Sequence, residues 1–201
     1  LSIKEELEKN RTSHLGEVVV LGEKCSSLAD FKKNIKKLKR QNPELDQNST
    51  HVFISVGFHD LLNNVHNCEE AIKVEPHSLT EKGVSKKLPC FTQTEIYNKW
   101  KTSVEYFSEI FPNPQITILS AYYLPEDKTI KSCGLKITSN RHLASDIDGW
   151  NADLAQFALE KDWGFIALDN EFSVKDITIN TIDFTNNAKR KLVKLLQRKI
   201  H

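Results

Sequence analysis

The fold class this sequence predicts is α/β, with three layers (α/β/α) around a mostly parallel, flavodoxin-like sheet of four to five strands. Two observations carry that expectation. Short β-rich apolar runs alternate with longer stretches of helical period, the pattern produced by βα units. No internal repeat or low-complexity linker interrupts the 201 residues, a length that one continuous hydrophobic core can serve, so a single domain over residues 1–201 is expected.

Taken in order, Ser2–Asn10 predicts a short charged helix and Val18–Leu21 a first buried strand. Phe31, Ile35 and Leu38 then fall at i, i+4 and i+7, one face of a helix. Val52–Val56 predicts the next strand. From His59 to Gln93 no period stands out, and Pro76, Gly83 and Pro89 mark an irregular excursion with room for a short helix. Ile96, Trp100, Val104 and Phe107 restore the helical stripe, Ile116–Ser120 predicts a strand, and Tyr122–Asn140 a second excursion. Leu143, Ile147, Trp150, Leu154 and Phe157 form another stripe before a strand at Phe165–Leu168. Leu192, Leu195, Leu196 and Ile200 belong to a last helix, with Thr185 or Asn186 as its N-cap. In an open parallel sheet both excursions leave from carboxyl ends of strands, where ligand sites lie.

Composition narrows the function classes. The formal charge is +1 and the pI about 7.8, a sum that conceals strong segregation of sign. Cys25, Cys68, Cys90 and Cys133 lie far apart with no CxxC pair, which suits reduced thiols in an intracellular protein better than a disulfide framework. The two sequons, at Asn10 and Asn48, are short enough to arise by chance. No apolar run approaches the roughly 18 residues that span a bilayer, so no membrane partner is expected. Because the chain starts at Leu1 and contains no Met, it is expected to be a piece of a longer protein.

Three blocks carry a family resemblance. The segment Glu17-Val-Val-Val-Leu-Gly22-Glu23-Lys24 is a buried strand turning at a glycine. It resembles the first block of the GDSL/SGNH hydrolases, where strand one ends in Gly-Asp-Ser and the serine is the nucleophile. Glu23 takes the Asp place and Lys24 the Ser place. The segment Phe53-Ile-Ser-Val-Gly57-Phe58-His59-Asp60 is similar to the Gly-x-Asn-Asp block, whose glycine amide and asparagine help to form the oxyanion hole. Gly57 and Asp60 are kept, but His59 replaces Asn. Asn180-Thr-Ile-Asp183 resembles the Asp-x-x-His block, with Asn180 at the Asp place and Asp183 at the catalytic His place. Trp150-Asn151 and Trp163 to Asp169 resemble the family's C-terminal half. The resemblance implies an SGNH-hydrolase-like fold, though only about thirty residues separate Leu21 from Val52, room for one helix and no clear second strand.

The altered positions imply a domain without catalysis. A serine attacks only when a neighbouring base takes its proton, and a third group must hold that base in the right tautomer. Lys24, Asp183 and Asn180 cannot play these parts, so a degenerate hydrolase with no small-molecule substrate is expected. The alternative is a displaced nucleophile, Ser26, Ser27 or Cys25, with His59 or His142 as base, which would need a new oxyanion hole. Ser26 or Ser27 is equally placed to cap the helix carrying Phe31 and Ile35. His59, His66, Cys68, His77 and Cys90 crowd one stretch, yet their spacing matches no zinc arrangement, so neither metal nor cofactor is expected. Glu23 and Lys24 are expected to pair with each other or with Asp60.

The cations are concentrated. Residues 31–40 hold six, with Lys32, Lys33, Lys36, Lys37 and Arg40 sharing an outer face, and Lys39 beside them. The last helix repeats the design with Lys189, Arg190, Lys191, Lys194, Arg198 and Lys199, and no acidic residue follows Asp183. These are twelve of the chain's 28 Lys and Arg residues, which makes a polyanion the natural partner. A solvated surface usually interleaves Glu with Lys to gain i,i+4 pairs, and these helices forgo that pairing. Signatures of DNA-reading modules and of RRM-type aromatic strands are absent, so contact would run through phosphates and shape, with stacking in loops. Strand order decides whether the two stripes merge. An order 2-1-3-4-5 puts the first and last helices on one side of the sheet, whereas a first helix leading directly to the strand beside it puts them on opposite faces.

A non-catalytic SGNH-like domain with two basic helices resembles the OSK domains of insect germ-plasm organisers. That resemblance implies binding of messenger RNA, through 3′ untranslated regions, in cytoplasmic ribonucleoprotein granules that specify germ cells, beside other granule proteins. The residues expected to contact RNA are Lys32, Lys33, Lys36, Lys37, Arg40, Lys189, Arg190, Lys191, Lys194 and Arg198. A protein-interaction scaffold, with basic faces meeting acidic partner segments, is the other class that fits.

Overall fold

The computed structural model describes Glu5 and residues 27–73, 91–126, 128–132, 135–139, 141–178 and 183–200. The expected Ser2–Asn10 helix and Val18–Leu21 strand lie outside what can be described, as do Gly22–Ser26 and Asn180.

Three strands form a parallel sheet in the order β1-β2-β5: β1 (His51–Ile54), β2 (Gln115–Leu119) and β5 (Gly164–Ile166). Val52 pairs with Ile116 and Phe53 with Thr117 across the first ladder, and Ile118 with Phe165 and Leu119 with Ile166 across the second. All three expected strands in the described region form, each shorter than expected at its carboxyl end. The last stops at Ile166 because Leu168 already opens a one-turn helix. Strands so largely apolar suit a sheet covered on both faces.

Ser27 opens helix α1 (Leu28–Gln41) with a reciprocal cap. Its Oγ accepts from Asp30 N at 3.2 Å, while Asp30 Oδ2 accepts from Ser27 N at 3.1 Å. Thr92 and Glu95 repeat that device before α3 (Gln93–Ile110). Helix α4 spans Arg141–Glu160, α5 is the turn Leu168–Glu171, and α6 spans Asn186–Ile200. Of the two expected caps for α6, Thr185 is the one used, its Oγ1 accepting from Ala188 N at 3.3 Å.

Alternation along the strands assigns the helices to layers. Val52, Ile54, Ile116, Ile118 and Phe165 join one core with Ile35 and Leu38 of α1, Trp100, Val104 and Phe107 of α3, and Trp150, Leu154 and Phe157 of α4. The intervening residues Phe53, Leu119 and Ile166 join a second core with Leu168, Phe172, and Ala188, Leu192 and Leu196 of α6. Successive strand residues point to opposite faces, so α1, α3 and α4 cover one face of the sheet and α6 the other. The two basic helices are therefore on opposite faces of the sheet and do not merge into one surface across it.

The segment after His59 departs from expectation. It opens with a sixteen-residue helix, α2 (Phe58–Lys73), that buries Leu61 and Leu62 in the first core. The amide of buried Asn64 clasps the far end of the excursion, donating to Phe91 O and accepting from Phe91 N, both at 2.7 Å. Residues 74–90 lie outside the described region. The second excursion contains an antiparallel hairpin, β3 (Thr129–Ser132) with β4 (Leu135–Thr138), whose Ile137 is fully buried. Among the described residues no helix is long and apolar enough to cross a membrane.

Candidate functional site

Gly57 follows β1 at the carboxyl edge with φ of +95°, a backbone that side chains rarely tolerate. A Cβ there would sit 2.9 Å from both Trp100 Cδ1 and Trp150 Cζ2, so glycine answers steric as well as torsional demands. The turn leads into α2, where His59 is half-buried on the first turn. The expected pairing of Glu23 and Lys24, with each other or with Asp60, lies outside the described residues. Asp60 Oδ2 accepts from Leu28 N at 3.0 Å and thus anchors the amino end of α1. Burial raises its pKa, against the lowering effect of that hydrogen bond and of His59.

Rings occupy the middle of the edge. Tyr122 lies 5.2 Å from Phe58 and 4.6 Å from Phe184, and Phe184 lies 4.8 Å from Phe172. Burial, and then the charge of Asp183, push the Tyr122 hydroxyl well above the ordinary tyrosine range. Asp183, expected from the sequence at the histidine place of the hydrolase block, is half-buried, and its carbonyl accepts from Thr178 N at 2.8 Å. The buried polar groups here are spent on the fold. Asn151 accepts from Ala121 N at 2.8 Å and donates to Ala121 O at 3.1 Å, and Ser120 Oγ accepts from Leu168 N at 2.7 Å with Asp169 Oδ1 3.0 Å away. This double clasp gives Asn151 a structural part, which the sequence alone did not assign.

Beside the rings a groove of about 560 Å³ runs between the loop after β2 and the start of α4, lined by Tyr123, Leu124, Ile147, Asp148 and Val174 among others. The Tyr123 hydroxyl donates to Asp148, and that bond, more than burial, pushes its pKa up to about 12. His142, the second candidate base, is exposed on the first turn of α4. Of the residues considered for zinc, only His59 has a described side chain. No cluster of three or more metal-capable side chains occurs among the described residues.

Some of the cations are already engaged within the chain. Lys39 pairs with Asp46. Lys191 donates to Glu171 O, lies 3.9 Å from the Glu171 carboxylate and sits 4.9 Å over the Phe172 ring. Its expected place among free phosphate contacts is therefore partly taken by the protein itself. Lys32, Lys33, Lys36, Lys37 and Arg40 are all exposed, and no carboxylate of the described residues forms an ion pair with any of them. On α6, Lys194, Arg198 and Lys199 are exposed, Lys189 is half-buried, and Arg190, though exposed, is already engaged by another group of the chain. One residue absent from the sequence reading joins the α1 set: Tyr106 of α3 lies under the ammonium groups of Lys32 and Lys36, 5.6 and 5.9 Å from its ring centre. It precedes core Phe107, which places it on the shoulder of α3 facing α1. Only the packing of α1 on α3 brings them together.

No protein-family model matches the chain, and no curated protein matches it. Among solved structures it is similar to a crystal structure of a candidate acylhydrolase from Bacteroides fragilis. The identity is 12%, the TM-score is 0.53, and the match covers 88% of this chain and 70% of the other. At that identity the likeness speaks for the backbone alone, and it agrees with the topology above: this chain has an SGNH-hydrolase-like α/β/α fold.

Proposed function

We propose that this is a non-catalytic SGNH-like domain that binds RNA through its cationic helices, of the kind represented by the OSK domain of Oskar. The observation that carries the reading is the set of exposed cations on α1, which form no close ion pair with a carboxylate among the described residues, Lys33 alone acting at longer range on Asp30. Like charges at i,i+4 each cost a few tenths of a kcal/mol, and phosphates of a polyanion relieve that repulsion while releasing counterions. The altered blocks at Gly22–Lys24, Gly57–Asp60 and Asn180–Asp183 support a site that does no acyl chemistry, as do the rings and self-satisfied polar groups at the carboxyl edge. The RNA would be messenger RNA bound through 3′ untranslated regions, in cytoplasmic germ-plasm granules. In a mobility-shift assay, reversing Lys36, Arg40, Arg190 and Lys194 to Glu is expected to abolish binding, and unchanged affinity would remove the proposal.

The likeness to a candidate acylhydrolase favours a second reading, a residual esterase using Ser26 or Cys25. Turnover of an aryl acetate that disappears in Ser26→Ala or Cys25→Ala would establish it in place of the first.

A further inference from the structure

We infer that Tyr106, between Lys32 and Lys36, is a stacking platform for an unpaired base, so that the α1/α3 shoulder takes single-stranded rather than duplex RNA. The inference rests on the RNA-binding reading above and adds the form of the ligand. Its geometry is specific to this pair of helices. Tyr106 is half-buried against the first core, which holds its ring in place, and the two ammonium groups stand 5.6 and 5.9 Å from the ring centre. Lys33, Lys37 and Arg40 continue the charge along α1, and one helical turn further back on α3, Thr102 is exposed and leaves the shoulder open.

A ring flanked by cations offers a nucleotide both of its needs at once. The base gains a π-face and the adjoining phosphates gain partners, the arrangement by which single strands are held without sequence readout. Lysines standing over a ring are flexible and solvated, so a phosphate can draw them aside at small cost. A duplex cannot use the ring, because its bases are already stacked on one another and an A-form helix shows a protein mainly phosphates and 2′-hydroxyls. Charge alone would not discriminate between the two forms. The tyrosine is what makes the difference.

The test is fluorescence anisotropy with a short labelled oligouridylate and a blunt RNA duplex of the same length. Tyr106→Leu keeps an apolar side chain against the core and removes the ring, while Tyr106→Phe keeps the ring and removes the hydroxyl. The expected result is that Tyr106→Leu weakens binding of the single strand about tenfold, a typical loss for one stacked base, and leaves duplex affinity unchanged. Tyr106→Phe should bind both as the wild type does. Equal losses on both ligands, or no loss on the single strand, would overturn the inference while the RNA-binding reading stands. Wild-type protein binding neither ligand would overturn both. Circular dichroism melts of the two variants show whether a loss comes from unfolding, and an unfolded Tyr106→Leu leaves the comparison to Tyr106→Gln.

Discussion

Gly57 and Asp60 show how much the local chemistry of a strand end depends on what packs against it. At Gly57 a methyl group would meet two indole rings at 2.9 Å on a backbone with positive φ. Gly57→Ala is therefore expected to cost about 3 kcal/mol, combining torsional strain with overpacking, and a urea titration would show it as a lower midpoint. Asp60 carries a pH signature. Its folded pKa lies above the ordinary value because burial disfavours the charge. The stability it contributes is thus fully present below the unfolded carboxylate pKa of about 4 and declines as pH rises through the folded one. Asp60→Asn keeps an acceptor for Leu28 N without the buried charge. It is expected to raise the melting temperature at neutral pH, an advantage that disappears in melts below pH about 4.

Elements were legible where a period ran long enough to be read. The stripes through Phe31–Leu38, Ile96–Phe107 and Leu143–Phe157 became α1, α3 and α4 because apolar residues at helical spacing bury one face together. Helix α2 carried the same signal in Phe58, Leu61, Leu62 and Val65, but it lay between polar residues at the head of a stretch rich in turn formers. The hairpin strands are four residues each, too short for alternation to stand out. The two basic helices, on opposite faces of the sheet, lead to a prediction about each as a unit. A short single strand reaches one face only, so Lys36→Glu with Arg40→Glu should remove most of its binding while Arg190→Glu with Lys194→Glu leaves much of it. On an RNA long enough to reach both faces each pair should remove a part. Anisotropy with short and long RNAs separates the two patterns.

Across the whole molecule a near-neutral sum of charge coexists with two cationic surfaces, and long-range attraction follows the surfaces rather than the sum. Affinity for RNA is accordingly expected to fall as salt rises, with a log–log slope of about −0.7 for each phosphate neutralised on a single strand. Each double reversal should make that slope shallower by about 1.4, which titrations at several salt concentrations would measure. Lys191 should contribute little to it, since Glu171 already holds its ammonium group.

Sequence alone determined the fold class, most helices, the three parallel strands and the clustering of cations, because periodicity and charge runs are local properties. It also marked Gly57, His59, Asp60 and Asp183 as residues of one edge. Only the tertiary structure decided which face of the sheet each helix covers, that Asp60 anchors α1, and that Asn151 clasps the strand end at Ala121. The same holds for Tyr106, which lies under two lysines some seventy residues before it. Each depends on contacts between distant segments, and no window along the chain contains both partners.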